Sequence, residues 1–175
     1  MHHLNYKKLF SYYTDTEHAP ELFLLLNELF FDGELPPVDI RFQNLKLKED
    51  PDSIYVNGEF RMHETETGNP TLYLDPSSIL SCLFSNNWNR SFHQLCGHMV
   101  HEMVHYYCTL NHIPETDNHG VFHNRNFRDA AQAHGLTATY SMSNPMVDGY
   151  NSTALTGWAE ALIDRNIGAM RKVSA

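Results

Sequence analysis

Apolar and polar positions follow two different periods along the first half of this chain, and their order indicates the fold class. Apolar residues three and four positions apart over 21–31 predict an amphipathic helix. Strict alternation over 38–42 predicts a half-buried strand, and further strands are predicted over 54–60 and 71–75. The third of these strands is either a candidate edge strand, able to bind an extended peptide by strand addition, or an ordinary core strand.

Helical periodicity returns in the second half of the chain. Asp75-Pro76 predicts a helix start, and a longer helix is predicted over 91–110. A shorter helix is predicted over 124–133, and after a polar loop a last one over 154–170. A helix, then strands, then helices favours an α+β domain with a small antiparallel or mixed sheet.

The helix predicted over 91–110 carries an unusual set of histidines. On a helical wheel, one side holds an apolar stripe: Leu95, Met99, Met103, Tyr107 and Leu110. His98, His101 and His105 lie together on another side. The chain has 12 histidines, and eight of them fall between His93 and His134, which is a signal for metal binding.

The segment His101-Glu102-Met103-Val104-His105 has the spacing of a zinc hydrolase motif. Residues four apart lie over one another on a helix, so both imidazoles can point at one ion. Zinc needs a third protein ligand and leaves a position for water, whose pKa it lowers to about 7. Glu102 lies beside the pair and reaches that water, as a general base requires.

The third ligand is left open by the spacing. The histidine and glycine offsets of metzincins are absent. Six residues downstream have suitable side chains: His112, His119, His123, His134, Glu115 and Asp117. His119 and His123 follow a predicted turn at 118–120, where the chain has room to return. Cys108 is expected to be a small buried residue, and His98 a surface histidine. Three tyrosines are candidate oxyanion donors: Tyr106, Tyr140 and Tyr150.

Composition narrows the class of protein further. The chain of 175 residues suits one domain, and 42% hydrophobic residues indicate a globular one. Its 21 acidic against 12 basic residues give a net charge of −9, which disfavours binding to phosphate backbones. Three unpaired cysteines, no signal-peptide pattern and no long apolar run lead us to expect a cytoplasmic protein without a membrane segment.

Several segments, in order, resemble the SprT-like family of metallopeptidases. The resemblance covers about 21–135 and rests on these pieces: Leu22–Pro37, Gly58-Glu59-Phe60, Leu72-Tyr73-Leu74-Asp75-Pro76, His101–Tyr107 and Phe122–Phe127. The family places its third histidine four residues before an aromatic residue. His123 with Phe127 has that spacing, whereas His119 has His123 at that offset, so the resemblance favours His123 over His119.

The resemblance implies a zincin-like fold of the minigluzincin kind, with a small sheet packed on the active-site helix. It implies a single domain over 1–175 that binds Zn²⁺ through His101, His105 and His123. It also implies a zinc metalloendopeptidase with Glu102 as catalytic base, acting on proteins that include DNA-associated ones. Many members continue into a zinc ribbon, which these residues lack, so any DNA association is expected to come from a missing segment or a partner.

Two other classes of protein compete with the peptidase. A catalytically silent zinc-containing module that binds proteins would keep the fold, but it has no need of a carboxylate at Glu102. A zinc hydrolase acting on a non-peptide amide, such as cell-wall material, fits less well because a secretion signal is absent. The natural substrate, the cleavage preference and the oligomeric state cannot be read from the sequence.

Overall fold

The computed structural model describes residues 4–43, 58–62, 68–75, 86–117, 122–141 and 149–173. Within these residues the chain is mixed α+β, with five helices and three small sheets, as the order of sequence periods predicts. The helices are α1 (Tyr6–Tyr13), α2 (Ala19–Phe30), α3 (Trp88–Leu110), α4 (Arg125–Ala133) and α5 (Gly157–Val173).

Asparagine side chains start three of these helices. Asn5 accepts a hydrogen bond from the backbone N–H of Lys8, and Asn87 accepts one from Arg90. Asn124 accepts from both Asn126 and Phe127. Each side-chain oxygen satisfies a backbone donor that the first turn leaves unpaired, which fixes where the helix begins.

The largest sheet contains three strands: β1 (Asp39–Phe42), β2 (Gly58–Arg61) and β3 (Thr71–Leu74). The strand order is β1–β3–β2, with β1 parallel and β2 antiparallel to β3. Every residue of β3 is buried. The prediction that this strand is a peptide-binding edge is therefore wrong, because both of its sides are already paired.

Two antiparallel hairpins follow α3. The first pairs β4 (Thr116–Asp117) with β5 (Phe122–His123), and the second pairs β6 (Leu136–Ser141) with β7 (Gly149–Leu155). The second hairpin corrects the prediction of a polar loop there. The last helix begins at Gly157, three residues later than predicted, because β7 occupies the preceding positions.

Helix α3 is the centre of the core and is buried on nearly every face. Leu95, Met99 and Met103 are fully buried, as the predicted apolar stripe requires. Leu110 is 39% exposed and so does not belong to that stripe. Other faces of the helix are equally buried, through Phe92, Cys96, Val100, Val104, Tyr106 and Cys108. The three-stranded sheet, the second hairpin and helices α1, α2 and α4 contact α3, and in this arrangement the side chains of His93 and Glu102 are buried.

A polar network ties the two ends of the chain to α3. The Tyr6 hydroxyl donates to Asp164 Oδ2 at 2.8 Å, and Asp164 Oδ1 lies 2.9 Å from His93 Nε2. The network therefore joins α1, α3 and α5. Helix α1 is not predicted by the sequence periods. Asp75, at the predicted start of a helix, is described and buried, but the predicted helix from Pro76 onward and the first part of the second predicted strand lie outside the described residues.

No helix in the described part of the chain is both long and apolar enough to cross a bilayer.

Candidate metal centre

Three histidines from two elements converge at one point. His101 and His105 lie one turn apart on α3, and His123 comes from β5. His105 Nε2 is 3.3 Å from His101 Nε2 and 3.0 Å from His123 Nε2. Among the described residues these three form the group of side chains able to hold a metal ion, with ligand atoms all within 4.8 Å of one another.

The spacing of these nitrogens suits a tetrahedral metal ion. Zinc–nitrogen bonds of about 2.0–2.1 Å place neighbouring ligand atoms about 3.3 Å apart in a tetrahedron. The Nε2 separations of His105 from His101 and from His123, 3.3 Å and 3.0 Å, lie close to that value. The described structure thus brings the three predicted histidines close enough together to hold one metal ion, while metal binding itself and the identity of the ion stay predictions.

A carboxylate fixes the ring of His105. Glu115 Oε1 lies 3.2 Å from His105 Nδ1. The hydrogen bond with His105 lowers the pKa of Glu115, so this carboxyl group is ionised and can only accept. The proton of a neutral His105 therefore sits on Nδ1, and the lone pair of Nε2 points to the cluster. Glu115, a candidate ligand in the sequence, lies behind a ligand instead.

A hydroxyl group holds the ring of His101 in the same way. Thr153 Oγ1, on β7, is 2.9 Å from His101 Nδ1. Burial, together with the neighbouring His105 and His123, lowers the pKa of His101 well below its ordinary value. A neutral imidazole with its Nδ1 bound by a neighbour is the form that ligates metals.

Phe127 packs against all three rings of the cluster. Its own ring is fully buried and stacks on His123, with centroids 3.9 Å apart and planes inclined by 17°. The centroids of His101 and His105 each lie 4.9 Å from that of Phe127. The four-residue spacing between His123 and Phe127 thus has a physical reason, because one residue supplies a donor and the other the apolar wall behind it.

The hairpins bring His123 to α3 by close contact between backbones. A Cβ atom placed on Gly149 would lie 3.0 Å from the carbonyl oxygen of His123 and 3.2 Å from its nitrogen. A Cβ at this position would require the neighbouring backbone to move by a few tenths of an ångström, so glycine suits the close approach of β7 to β5. The same strand carries Thr153, so β7 positions two of the three histidines.

Glu102 lies on the buried side of α3, directly after the first histidine of the cluster. Its side chain is 4% exposed, and it is not among the residues that form the metal-binding group. Burial raises the pKa of Glu102 to about 7, with His105 acting in the opposite direction. A carboxyl group with this pKa both takes up and releases a proton near neutral pH.

The other candidate ligands that the structure describes lie elsewhere. His112 is exposed at the end of α3. His134 Nδ1 lies 2.7 Å from the carbonyl oxygen of Ala130, and its ring stacks on Phe31. Cys108 is a free, fully buried thiol, as expected. His119 and the predicted turn around it lie outside the described residues.

His98 differs from the surface histidine that the sequence predicts. Its Nδ1 atom is buried and has no hydrogen-bond partner in the described structure. Burial lowers the pKa of His98, with Asp75 acting in the opposite direction. The sheet packs on α3 and Asp75 follows β3, so this polar position on the helical wheel is half-buried instead of exposed.

The three candidate tyrosines occupy different environments. Tyr106 is 2% exposed and stacks on Phe60 with a centroid distance of 4.9 Å, so it belongs to the core. Tyr140 is 46% exposed. Tyr150 contacts Tyr140 edge-on, and its hydroxyl accepts a hydrogen bond from Arg128 at 3.2 Å. Tyr140 and Tyr150 line a groove together with His123.

Comparison of the chain with protein families, with curated proteins and with solved structures gave no match in any of the three.

Proposed function

We propose that this chain is a zinc-dependent metallopeptidase that hydrolyses peptide bonds within protein substrates. The observation that carries the proposal is the convergence of three imidazole Nε2 atoms beside a buried glutamate that forms no part of the ligand group. A purely structural zinc site has four protein ligands, whereas a catalytic one has three and keeps a position for water.

Zinc is the metal that this ligand set suits. Three imidazoles, two of them bound at Nδ1 by Thr153 and Glu115, match the ligands of catalytic zinc sites. When bound, zinc lowers the pKa of a water molecule and polarises a carbonyl oxygen. Removal of Glu115 or Thr153 would leave the ligands present but free to turn.

Glu102 carries the proton transfers in this proposal. Its ionised carboxylate accepts a proton from the attacking water, and the protonated acid then donates that proton to the nitrogen of the leaving chain. Because burial raises the pKa of Glu102 to about 7, both forms are accessible near neutral pH.

The fold and substrate class belong to the same proposal. A three-stranded sheet packed on a long helix with the His101–His105 motif supports a zincin-like fold of the minigluzincin kind. The resemblance to SprT-like proteins supports proteins, including DNA-associated ones, as substrates. β2 contacts α3 and is an edge of the sheet in the described structure, so it replaces β3 as the strand for pairing with an extended peptide.

The replacement Glu102→Gln tests the proposal. It keeps the size of the side chain but removes the base, so zinc content and fold should persist while cleavage of an unfolded protein falls by about 10²–10⁴-fold. Glu34→Gln, at an exposed position, is the matched control. Equal cleavage by Glu102→Gln and wild type would remove Glu102 from the mechanism. A zinc-loaded wild type with no cleavage would favour the silent binding module.

A further inference from the structure

An open groove of about 590 Å³ begins at the metal centre. His123, one of the three clustered histidines, lines it directly. The start of α4 forms one side of the groove, and the rings of Tyr140 and Tyr150 from the second hairpin form another. A polypeptide held at the cluster therefore has this groove within reach of its neighbouring side chains.

Most polar groups of the groove already have partners within the protein. Asn124 Nδ2 donates to the carbonyl oxygen of Pro114 at 2.8 Å, and its Oδ1 caps α4. Asn126 Nδ2 donates to the same carbonyl oxygen at 2.9 Å. These amides hold the chain together, so they offer little to a ligand.

Arg125, another described lining residue, differs from these two amides. Its side chain is exposed, and the described structure shows no hydrogen bond or ion pair to its guanidinium group. Arg128, one turn further along α4, is engaged by contrast. Its Nη2 and Nε atoms lie 2.6 Å and 2.7 Å from Asp129 Oδ1, and its Nη1 donates to Tyr150.

We propose that this groove is a subsite for an acidic side chain of the substrate, with Arg125 as the residue that binds its carboxylate. The inference rests on the proposed peptidase function and names the class of side chain that the site selects. A guanidinium group binds a carboxylate through two parallel, charge-assisted hydrogen bonds. The side-chain amide of glutamine is uncharged and cannot form this pair of bonds. The exposed ring of Tyr140 covers the methylene groups of that side chain.

Other negative charges, in the groove and over the whole chain, oppose the binding of an acidic side chain. Asp117 also lines the groove, where it accepts a hydrogen bond from Asn124 at 3.3 Å. The chain as a whole carries a net charge of −9. Long-range attraction therefore does not bring an acidic peptide to the groove, and the preference arises from direct contact with Arg125. Neutralising Asp117 should strengthen it.

Quenched fluorescent peptides test the proposal on the zinc-loaded chain. Pairs of peptides that differ only by Glu or Gln, at each position around the cleaved bond in turn, are compared by kcat/KM. At one position wild type should prefer Glu about tenfold, mainly through KM. Arg125→Ala should abolish the preference for Glu over Gln, and Asp117→Asn should increase it. Arg125→Glu should reverse the charge preference, so that a peptide with Lys at that position is cleaved better than the Glu peptide. Arg90→Ala, an exposed arginine at the start of α3, should leave it unchanged.

Binding measured without turnover separates this inference from the proposed function. Fluorescence anisotropy with zinc-loaded Glu102→Gln should show the Glu peptide bound more tightly than the Gln peptide, and Arg125→Ala in that background should abolish the difference. Zinc-dependent cleavage with equal kcat/KM for both peptides at every position would overturn the subsite and leave the peptidase standing. Arg125-dependent binding without cleavage by wild type would support the subsite and overturn the peptidase.

Discussion

His105 Nδ1 and Glu115 Oε1 lie 3.2 Å apart, although Glu115 is beyond the end of the helix that carries His105. The segment after α3 thus turns back to hold a ring on the helix it has just left. The carbonyl of the same Glu115 accepts the backbone N–H of Asn124, which follows His123. One residue therefore orients one histidine of the cluster and anchors the chain beside another.

Loss of Glu115 should weaken zinc binding without abolishing it. Glu115→Ala removes the carboxylate that orients His105, and such losses lower metal affinity about 10–100-fold. Glu115→Gln keeps a hydrogen-bond acceptor but loses the charge, so its zinc affinity should lie between those of wild type and Glu115→Ala. Competition with a chromophoric chelator measures the affinity, with Glu34→Ala as an exposed control. An affinity of Glu115→Ala equal to that of wild type would contradict the assigned role.

A methyl group at Gly149 should displace His123 and so disturb the histidine cluster. Gly149→Ala places a carbon 3.0 Å from the carbonyl oxygen of His123, so β5 must shift. We expect a loss of about 1–3 kcal/mol in the free energy of unfolding, together with weaker zinc binding. Gly157→Ala is the control, because a Cβ there meets nothing within 4 Å. Urea unfolding of the metal-free proteins compares them, and equal stabilities would refute the close approach.

Stability at alkaline pH should depend on Tyr6. Burial, first, and the hydrogen bond to Asp164 raise the pKa of Tyr6 from 10.0 to about 12. The folded state therefore favours the protonated phenol, and its contribution is complete below pH 10 and lost as pH rises through 12. Tyr6→Phe should lower the free energy of unfolding by about 1 kcal/mol at neutral pH, and the difference from wild type should shrink above pH 10.

Tyr12→Phe is the control for that experiment, since its hydroxyl makes an exposed hydrogen bond to Glu21. At neutral pH, Tyr12→Phe should lower the free energy of unfolding by less than Tyr6→Phe does. A difference between wild type and Tyr6→Phe that persists unchanged through pH 12 would show that the phenol of Tyr6 does not titrate in this range.

Residues 1–175 should bind duplex DNA weakly. The 12 basic residues are scattered, in groups of no more than two, against 21 acidic ones, and phosphate contacts require clustered cations. We expect a dissociation constant weaker than about 10⁻⁶ M at roughly 150 mM salt. Fluorescence anisotropy measures it, and submicromolar binding would make DNA itself a partner of these residues.

The sequence predicts those parts of the fold whose pattern is local. The helix bearing His101 and His105, the strand β1 and the helix that carries Phe127 all have clear apolar periods. The choice of His123 for the cluster came from the resemblance to SprT-like proteins, not from periodicity. Its spacing to Phe127 gains a physical explanation only when the two rings are seen to stack.

The parts that depend on distant contacts could not be predicted. Strand β7 is short of apolar residues, so the segment looks like a loop, yet it pairs with β6 and delivers Thr153 to a histidine 52 residues earlier. Helix α1 is held by a hydrogen bond between residues 158 positions apart. The central position of β3 and the burial of His98 likewise arise from packing between elements, which a single-segment pattern does not encode.

Reconstitution with metal tests the central proposal most directly. The protein is stripped with a chelator, zinc is added back in measured steps, and cleavage of an unfolded protein is followed at each step. We predict no cleavage without metal, a linear rise that ends at about one equivalent of zinc, and no recovery for His123→Ala under the same conditions. Full cleavage by the stripped protein, or full recovery by His123→Ala, would contradict a zinc peptidase built on His101, His105 and His123.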